Sequence, residues 1–578
     1  MPLPQWTRSQ SYIAPRTTFE KKIANIWSAE LGITSIGLDD DFFELGGHSL
    51  IAARIISKIN GTLKKNVRLY DFYSYPTIAQ LVKVIHKANG KYKPRTVLTT
   101  RSTNNSKLLP LNDFQFTLWL AKSFEPKTNK LNIVSRRRLQ GLPNIAALTF
   151  AVQCLLKKYP ILNYHVLRFR PMQRLRHADS LQIMEKNINQ LSNDKRELAL
   201  SSSLSELLHY NDWTQHTPNI ILHLYHWDNI GELQLGLSHF IADDVCPDII
   251  FSELSRFYLL YQTSLPVNLL NPEQHFQLAI MQEQQYFQTY LDRDIQFWNS
   301  YLQDAHLFTF PATYVLHERK AHDVSYSTYV DIPEPALLYL QQFCSAHHVS
   351  MTDGLCAVLT RALCQCCDTH PAEQSVAMNI IKSTRDDIQE QKILGCFLRV
   401  ESIKIDLNQE RELSALAKQI HQSTIETSPY QQCSNLIKVA SIYNFQQNNK
   451  FKQMFMQLCT FIYTRCANIP AFYRKIINQC VRINSFKRDC AFLIDINVNR
   501  NFFANEQQNQ AEHLFGYQVQ AVEMVQYDLL SIASILEVFF GRNSHNKPYV
   551  VISANLTLEF RERIAKEMLR IMSDETKI

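Results

Sequence analysis

The chain has 578 residues, too many for one core, so two to four packed units are expected. Its 46% apolar and 20% charged residues are those of a globular protein, and no run of about 18 apolar residues suggests a membrane span or export signal. The net charge of +7 is spread along the chain. Its densest cluster, Arg136 to Arg138, is short and lies in an alternating stretch, which reads as a solvated strand face rather than a nucleic-acid patch. Thirteen cysteines, several within apolar helical runs, point to reduced thiols in a cytoplasmic protein. Cys364, Cys366 and Cys367 lack the spacing of a metal site, so no metal is expected.

In chain order, "TTFEKKIANIWSAEL" comes first, an amphipathic helix with Phe19, Ile23, Ile26 and Trp27 inward. After a loop, "DDFFELGGHSLIAARIISKI" places Ser49 behind two glycines and at the head of an apolar helix. Two readings of Ser49 are open locally: a helix N-cap, or a serine bearing a phosphate ester, because free N–H groups and the helix dipole favour an anion there. "TIAQLVKVIHKA" supplies a third helix after Pro76. Residues 89–107 are polar and without period, and read as a linker.

From Leu108 onward strands alternate with long helices, an α/β texture. "NIILHLYHWDNIGELQLGLSHF" is a hairpin by its alternating leucines, and His239 closes its second strand. "AIMQEQQYFQTYLDRDIQFWNSYL" is one long helix between two halves. In "HHVSMTDG", Ser350 and Asp353 form the Ser-x-x-Asp pattern of a capped helix start.

The stretch from Tyr12 through "LGGHS" to "LYDFYSYPTIAQLV" resembles the carrier domain of nonribosomal peptide synthetases. That resemblance implies a 4′-phosphopantetheine arm on Ser49, attached by a phosphopantetheinyl transferase and carrying an acyl group as a thioester. The remainder resembles a condensation domain. "LPLNDFQFTLWLAKSF" is similar to its opening segment, with Gln115, Leu118 and Trp119 kept and Thr117 in place of arginine. "HFIADD" falls at the His-His-x-x-x-Asp-Gly signature. "RDDIQEQKILGCFLRV", "YQQCSNLIKVA" and "VQYDLLSIAS" match later segments, with Arg399 where asparagine is usual.

The implied fold is an α-helical-bundle carrier domain plus an α/β condensation domain of two chloramphenicol-acetyltransferase-like lobes. The expected boundaries are 1–16 for a lead-in resembling an adenylation-domain tail, 17–88 for the carrier, 89–107 for the linker, 108–275 for the N-terminal lobe and 276–578 for the C-terminal lobe. His239 matches the second signature histidine, which either takes the amine's proton or holds the amine in line. Asp243 and Arg385 match a structural pair. Ser238 replaces the first histidine and Asp244 the glycine. Asp244 is expected to raise the pKa of His239 or to narrow the tunnel.

The implied function is amide-bond formation between the acyl group on the arm and an amine delivered in trans by a downstream carrier or as a free acceptor. An adenylation domain acting in trans would load the arm, unless the chain is part of a larger synthetase. The alternatives are a condensation fold serving as a docking platform, and ester formation with a hydroxyl acceptor. Neither nucleic acid nor membrane is an expected partner.

Overall fold

The computed structural model describes residues 12–87, 108–441 and 491–573, less short intervals within each. The linker expected at 89–107, most of "VQYDLLSIAS", and Gly46, Gly47 and His48 lie outside the described residues.

Among the described residues, the first unit contains helices α1 (Thr18–Leu31), α2 (Ser49–Leu63) and α3 (Ile78–Lys87). Thr17 and Glu20 make a capping box at the start of α1, and Gly32 ends it in the left-handed conformation, φ 70°. Ile23, Trp27, Ile55, Ile59 and Leu81 are fully buried. The rings of Trp27, Phe42 and Phe72 pack together with centroids 4.8–5.5 Å apart. Helix α2 begins at Ser49 itself, so the serine is the first helical residue and not the cap outside it.

After a small sheet of β1 (Leu108–Pro110), β3 (Tyr164–Val166) and β4 (Met172–Leu175), two larger sheets carry the rest. The first combines β2 (Asn132–Leu139), β5 (Met184–Asn187), β6 (Ile220–Trp227), β7 (Ile230–Ser238), β14 (His513–Leu514) and β15 (Tyr517–Val525), in the order β14–β15–β2–β7–β6–β5. Helices α5 (Ile145–Lys158) and α7 (Cys246–Gln262) cover one face and α6 (Asn193–Leu208) packs on the other. Helix α4 (Asp113–Phe124) precedes β2, and the long helix α8 (His275–Tyr301) follows this lobe.

The second sheet runs β10 (Ser327–Asp331), β17 (Pro548–Ser553), β16 (Ile535–Arg542), β13 (Ala491–Val498), β11 (Ser375–Ser383), β12 (Leu398–Asp406). Two short strands flank it, β8 (Ala305–His306) on β11 and β9 (Phe308–Thr309) on β13. One face carries Met378, Ile380, Ile494, Ile496, Val538 and Ile552 into a core with α9 (Glu334–Ala346), α10 (Met351–Cys366), α11 (Leu413–Thr427) and α12 (Leu558–Ser573). The opposite face turns toward the first lobe, where Ile381 and Val400 meet Phe114, Leu118 and Phe240.

Two findings depart from the sequence reading. The chain does not divide simply at 275/276, because β15 returns to pair antiparallel with β2 in the first lobe. Tyr517 lies so close over Gly141 (φ 147°) that a Cβ there would stand 2.1 Å from its ring. Nor is the arginine run a solvated face. Strand β2 is covered on both sides, so Arg137 is 1% exposed and reaches Asp248 at 2.6 Å, while Arg138 reaches Glu232 at 2.8 Å and Glu197 at 2.9 Å.

The two units touch: Ile425 of α11 packs against the carrier-like core, and His348 stands 3.7 Å from Asp41. Among the described residues no helix is long and apolar enough to cross a membrane. The described cysteines are free thiols, most of them buried.

Candidate active site at the lobe junction

Strand β7 ends at Ser238, and the chain turns sharply through residues 239–245 before α7. The His239 backbone N–H bonds Leu131 O at 2.8 Å, which ties the turn to the residue preceding β2. Its ring Nδ1 lies 2.8 Å from Ala242 O. A carbonyl only accepts, so Nδ1 carries the proton and Nε2 the lone pair. Burial lowers the pKa of His239 and outweighs the opposing pull of the Ala242 carbonyl and the Asp243 carboxylate. The ring is therefore neutral near pH 7. This direction is opposite to the rise expected from Asp244. Asp244 instead adds its negative field to Arg385.

Asp243 and Arg385 form a bidentate pair, Nε to Oδ2 and Nη2 to Oδ1, both at 2.9 Å. Asp243 is wholly buried and Arg385 is 5% exposed. The carboxylate also accepts from the Phe397 and Val245 backbone N–H groups at 3.0 and 3.2 Å. The guanidinium also donates to Ile393 O at 2.7 Å and to Gly395 O at 3.0 Å. Asp243 comes from the loop after β7 and Arg385 from the loop after β11, so the pair bonds one lobe to the other. Gly395 is required by crowding, because a Cβ there would stand 2.4 Å from the Phe276 ring.

The opening segment shapes the same place. Phe114 packs on the His239 ring at 5.7 Å, Gln115 Nε2 donates to Phe240 O, and Trp119 Nε1 donates to Leu167 O at 2.9 Å. Thr117 donates to Asp113 O at 3.2 Å, a local helix bond. Among the described residues, Ser238 Oγ is buried with no hydrogen-bond partner. Burial would push the Glu401 carboxyl up, but Lys382 and Arg399 outweigh it and hold it at about 2, with Arg399 at 2.8 Å.

Sequence reading missed a second clasp between the lobes. Asp113, at the start of α4, accepts from Ser434 Oγ at 2.5 Å and from the Asn435 N–H at 2.8 Å. It also missed Lys438, buried on Val400 O and Gln431 O at 2.7 and 2.9 Å. The Asp113 pairs lie more than 300 residues apart and leave no periodic signal in one chain. The sequence places Ser49 far from these groups, and the structure puts it at the head of α2. The first turn of α2 contains no acidic residue, so its N–H end is fit to receive a phosphate.

Residues 105–465 match the family described as a condensation domain, and residues 21–85 match the phosphopantetheine attachment site. The chain belongs to the condensation-domain family. Both matches fall in the order carrier, then condensation domain, that is seen in nonribosomal peptide synthetases, and the attachment-site family implies a 4′-phosphopantetheine group. One of the linear gramicidin synthase proteins of Brevibacillus parabrevis is 35% identical over 162 residues, 28% of this chain and 3% of that protein. Cyclosporin synthetase of Tolypocladium inflatum is 24% identical over 447 residues, 74% of this chain and 3% of that protein. The chain thus spans 3% of the length of these curated relatives. The X-domain from teicoplanin biosynthesis shares the condensation fold at a TM-score of 0.57 and 14% identity, over 80% of this chain and 94% of that one.

Proposed function

We propose that this protein carries an acyl unit on Ser49 and condenses it, at His239, with an amine delivered in trans to form an amide. The arm supplies a thiol that holds the acyl group as a thioester. A phosphopantetheinyl transferase attaches the arm and an adenylation domain in trans loads it. Joining carrier and condensation domain in one chain raises the effective concentration of the acyl unit, so the slight contact at Asp41 and Ile425 suffices.

The observation that carries this reading is the bond from His239 Nδ1–H to Ala242 O. It fixes the tautomer with the lone pair on Nε2, and burial keeps the ring neutral. Nε2 takes a proton from the neutral amine as its nitrogen bonds the thioester carbonyl carbon; the C–S bond then breaks, and the arm leaves as a thiol that receives the proton back. Asp243 holds the turn by its bonds to Arg385 and Phe397, with no proton transfer of its own.

The test is single-turnover transfer from the loaded carrier to a panel of amines. His239→Ala should slow transfer by a factor of about 10²–10⁴ while leaving arm attachment intact. The acid limb of the wild-type rate should lie below pH 6.5, because the pKa of His239 is lowered from that value. Equal rates in wild type and His239→Ala with every amine would instead favour a docking platform. Hydroxyl acceptors in the same panel test ester formation.

A further inference from the structure

The N-terminal end of α4 lies against the His239 turn, and one side chain there bonds in several directions at once. Asn112 and Gln115 form a reciprocal cap. The Gln115 N–H donates to Asn112 Oδ1 at 2.7 Å, and the Asn112 N–H donates to Gln115 Oε1 at 2.9 Å. A backbone N–H only donates, so the Gln115 atom that faces it is the oxygen, and the nitrogen faces Phe240 O. Gln173 Nε2, from β4, donates to the same Oε1 at 3.2 Å and to Pro110 O at 3.1 Å. Gln115 and Gln173 are both fully buried.

His239 is thereby held on both sides. Its own N–H is tied to Leu131 O at 2.8 Å, and the carbonyl of the next residue is tied to Gln115. The Ile241 N–H closes the turn on Ser238 O at 3.1 Å, and Ala242 O then meets Nδ1. Phe114, adjacent to Gln115, packs on the imidazole. The same cap reaches the other lobe. Asn112 Nδ2 donates to Cys396 O at 2.8 Å, one residue before Phe397, whose N–H holds Asp243.

We propose that Gln115 is a positioning residue, whose amide fixes the carbonyl of Phe240 and so sets the direction of the His239 imidazole. Capping the helix needs only Oε1, whereas the bond to Phe240 O uses the nitrogen, which the cap leaves free. Without that donor the peptide after Phe240 can rotate, which carries Ala242 O away from Nδ1 and releases the bond that keeps the lone pair on Nε2. Such a release bears on rate, since a displacement of about 1 Å at a reacting group can cost on the order of 10²-fold. The inference deepens the proposed condensation and rests on His239 marking the reaction centre.

The test is NMR of the full chain with isotope-labelled histidine, His239→Ala identifying the resonance, alongside single-turnover transfer. Wild type should show His239 as the Nδ1–H tautomer alone. Gln115→Met, which keeps the length and removes the donor, should show a mixture of both tautomers. Its limiting rate should fall about ten-fold or more with the half-saturating amine concentration unchanged. Gln173→Met loosens the same amide from behind and serves as the second variant should the first fold poorly. Ser350→Ala, which removes the capping hydroxyl of α10, controls for lost stability alone and should leave the tautomer as in wild type. A single Nδ1–H tautomer retained in both glutamine variants overturns the assignment, as does an unchanged limiting rate where His239→Ala is slow. Should wild type and His239→Ala transfer equally, the catalytic reading of His239 falls and the tautomer alone decides the assignment of Gln115.

Discussion

His239 owes its tautomer to the carbonyl three residues on. The turn that follows β7 returns Ala242 O to Nδ1, and that one bond leaves the lone pair on Nε2. Ser238, immediately before it, shows the opposite condition. Its Oγ is buried without a partner where the family keeps a histidine. A buried hydroxyl left unbonded forfeits its hydration, so Ser238→Ala should stabilise the protein, by about 1 kcal/mol, in chemical denaturation. A loss of stability would mean that the hydroxyl is bonded in solution. Asp244 bears on Arg385 more than on the histidine, and so reinforces the clamp.

Among the secondary-structure elements, α2 is built for one task. Its apolar residues Ala52, Ile55, Ile56 and Ile59 bury against α1 and α3, which holds the helix in place. Incubated with a phosphopantetheinyl transferase and coenzyme A, the wild type should gain one arm by intact mass, and Ser49→Ala none. Labelling of the alanine variant would move the attachment elsewhere. Because Ser49 is the first helical residue and not the cap, its loss should cost well under the ~1 kcal/mol typical of a capping serine. Strand β2 makes the converse point about reading elements from composition. Three consecutive arginines look solvated, yet the strand lies between β15 and β7 and each guanidinium meets a carboxylate.

Across the molecule, connections among the described residues join the two lobes. Strand β15 crosses from the second half of the chain into the first sheet. Asp113 reaches Ser434 and Asn435, and Asp243 reaches Arg385 and Phe397. The last is the most demanding, since removing the carboxylate strands a buried guanidinium. Asp243→Ala should therefore destabilise the protein by about 3–5 kcal/mol, seen as a lower melting temperature or loss of soluble yield. A fully stable Asp243→Ala with altered turnover alone would assign Asp243 to the reaction instead of the framework.

Neighbouring residues were enough to specify the two-unit organisation, the helical carrier, the 220–238 hairpin and the capped start of α10, where Ser350 and Asp353 form a full capping box. These depend on local periods and caps, which are written in adjacent stretches of chain. The signature motif likewise pointed to His239 and Asp243, because a resemblance carries positions across. The tautomer and the direction of the His239 shift came instead from the folded arrangement, since both depend on burial and on a carbonyl brought back by the turn. So did the crossing of β15 and the burial of Arg137. Each arises where strands distant in sequence come into register, and a single chain carries no local record of which strands will be neighbours.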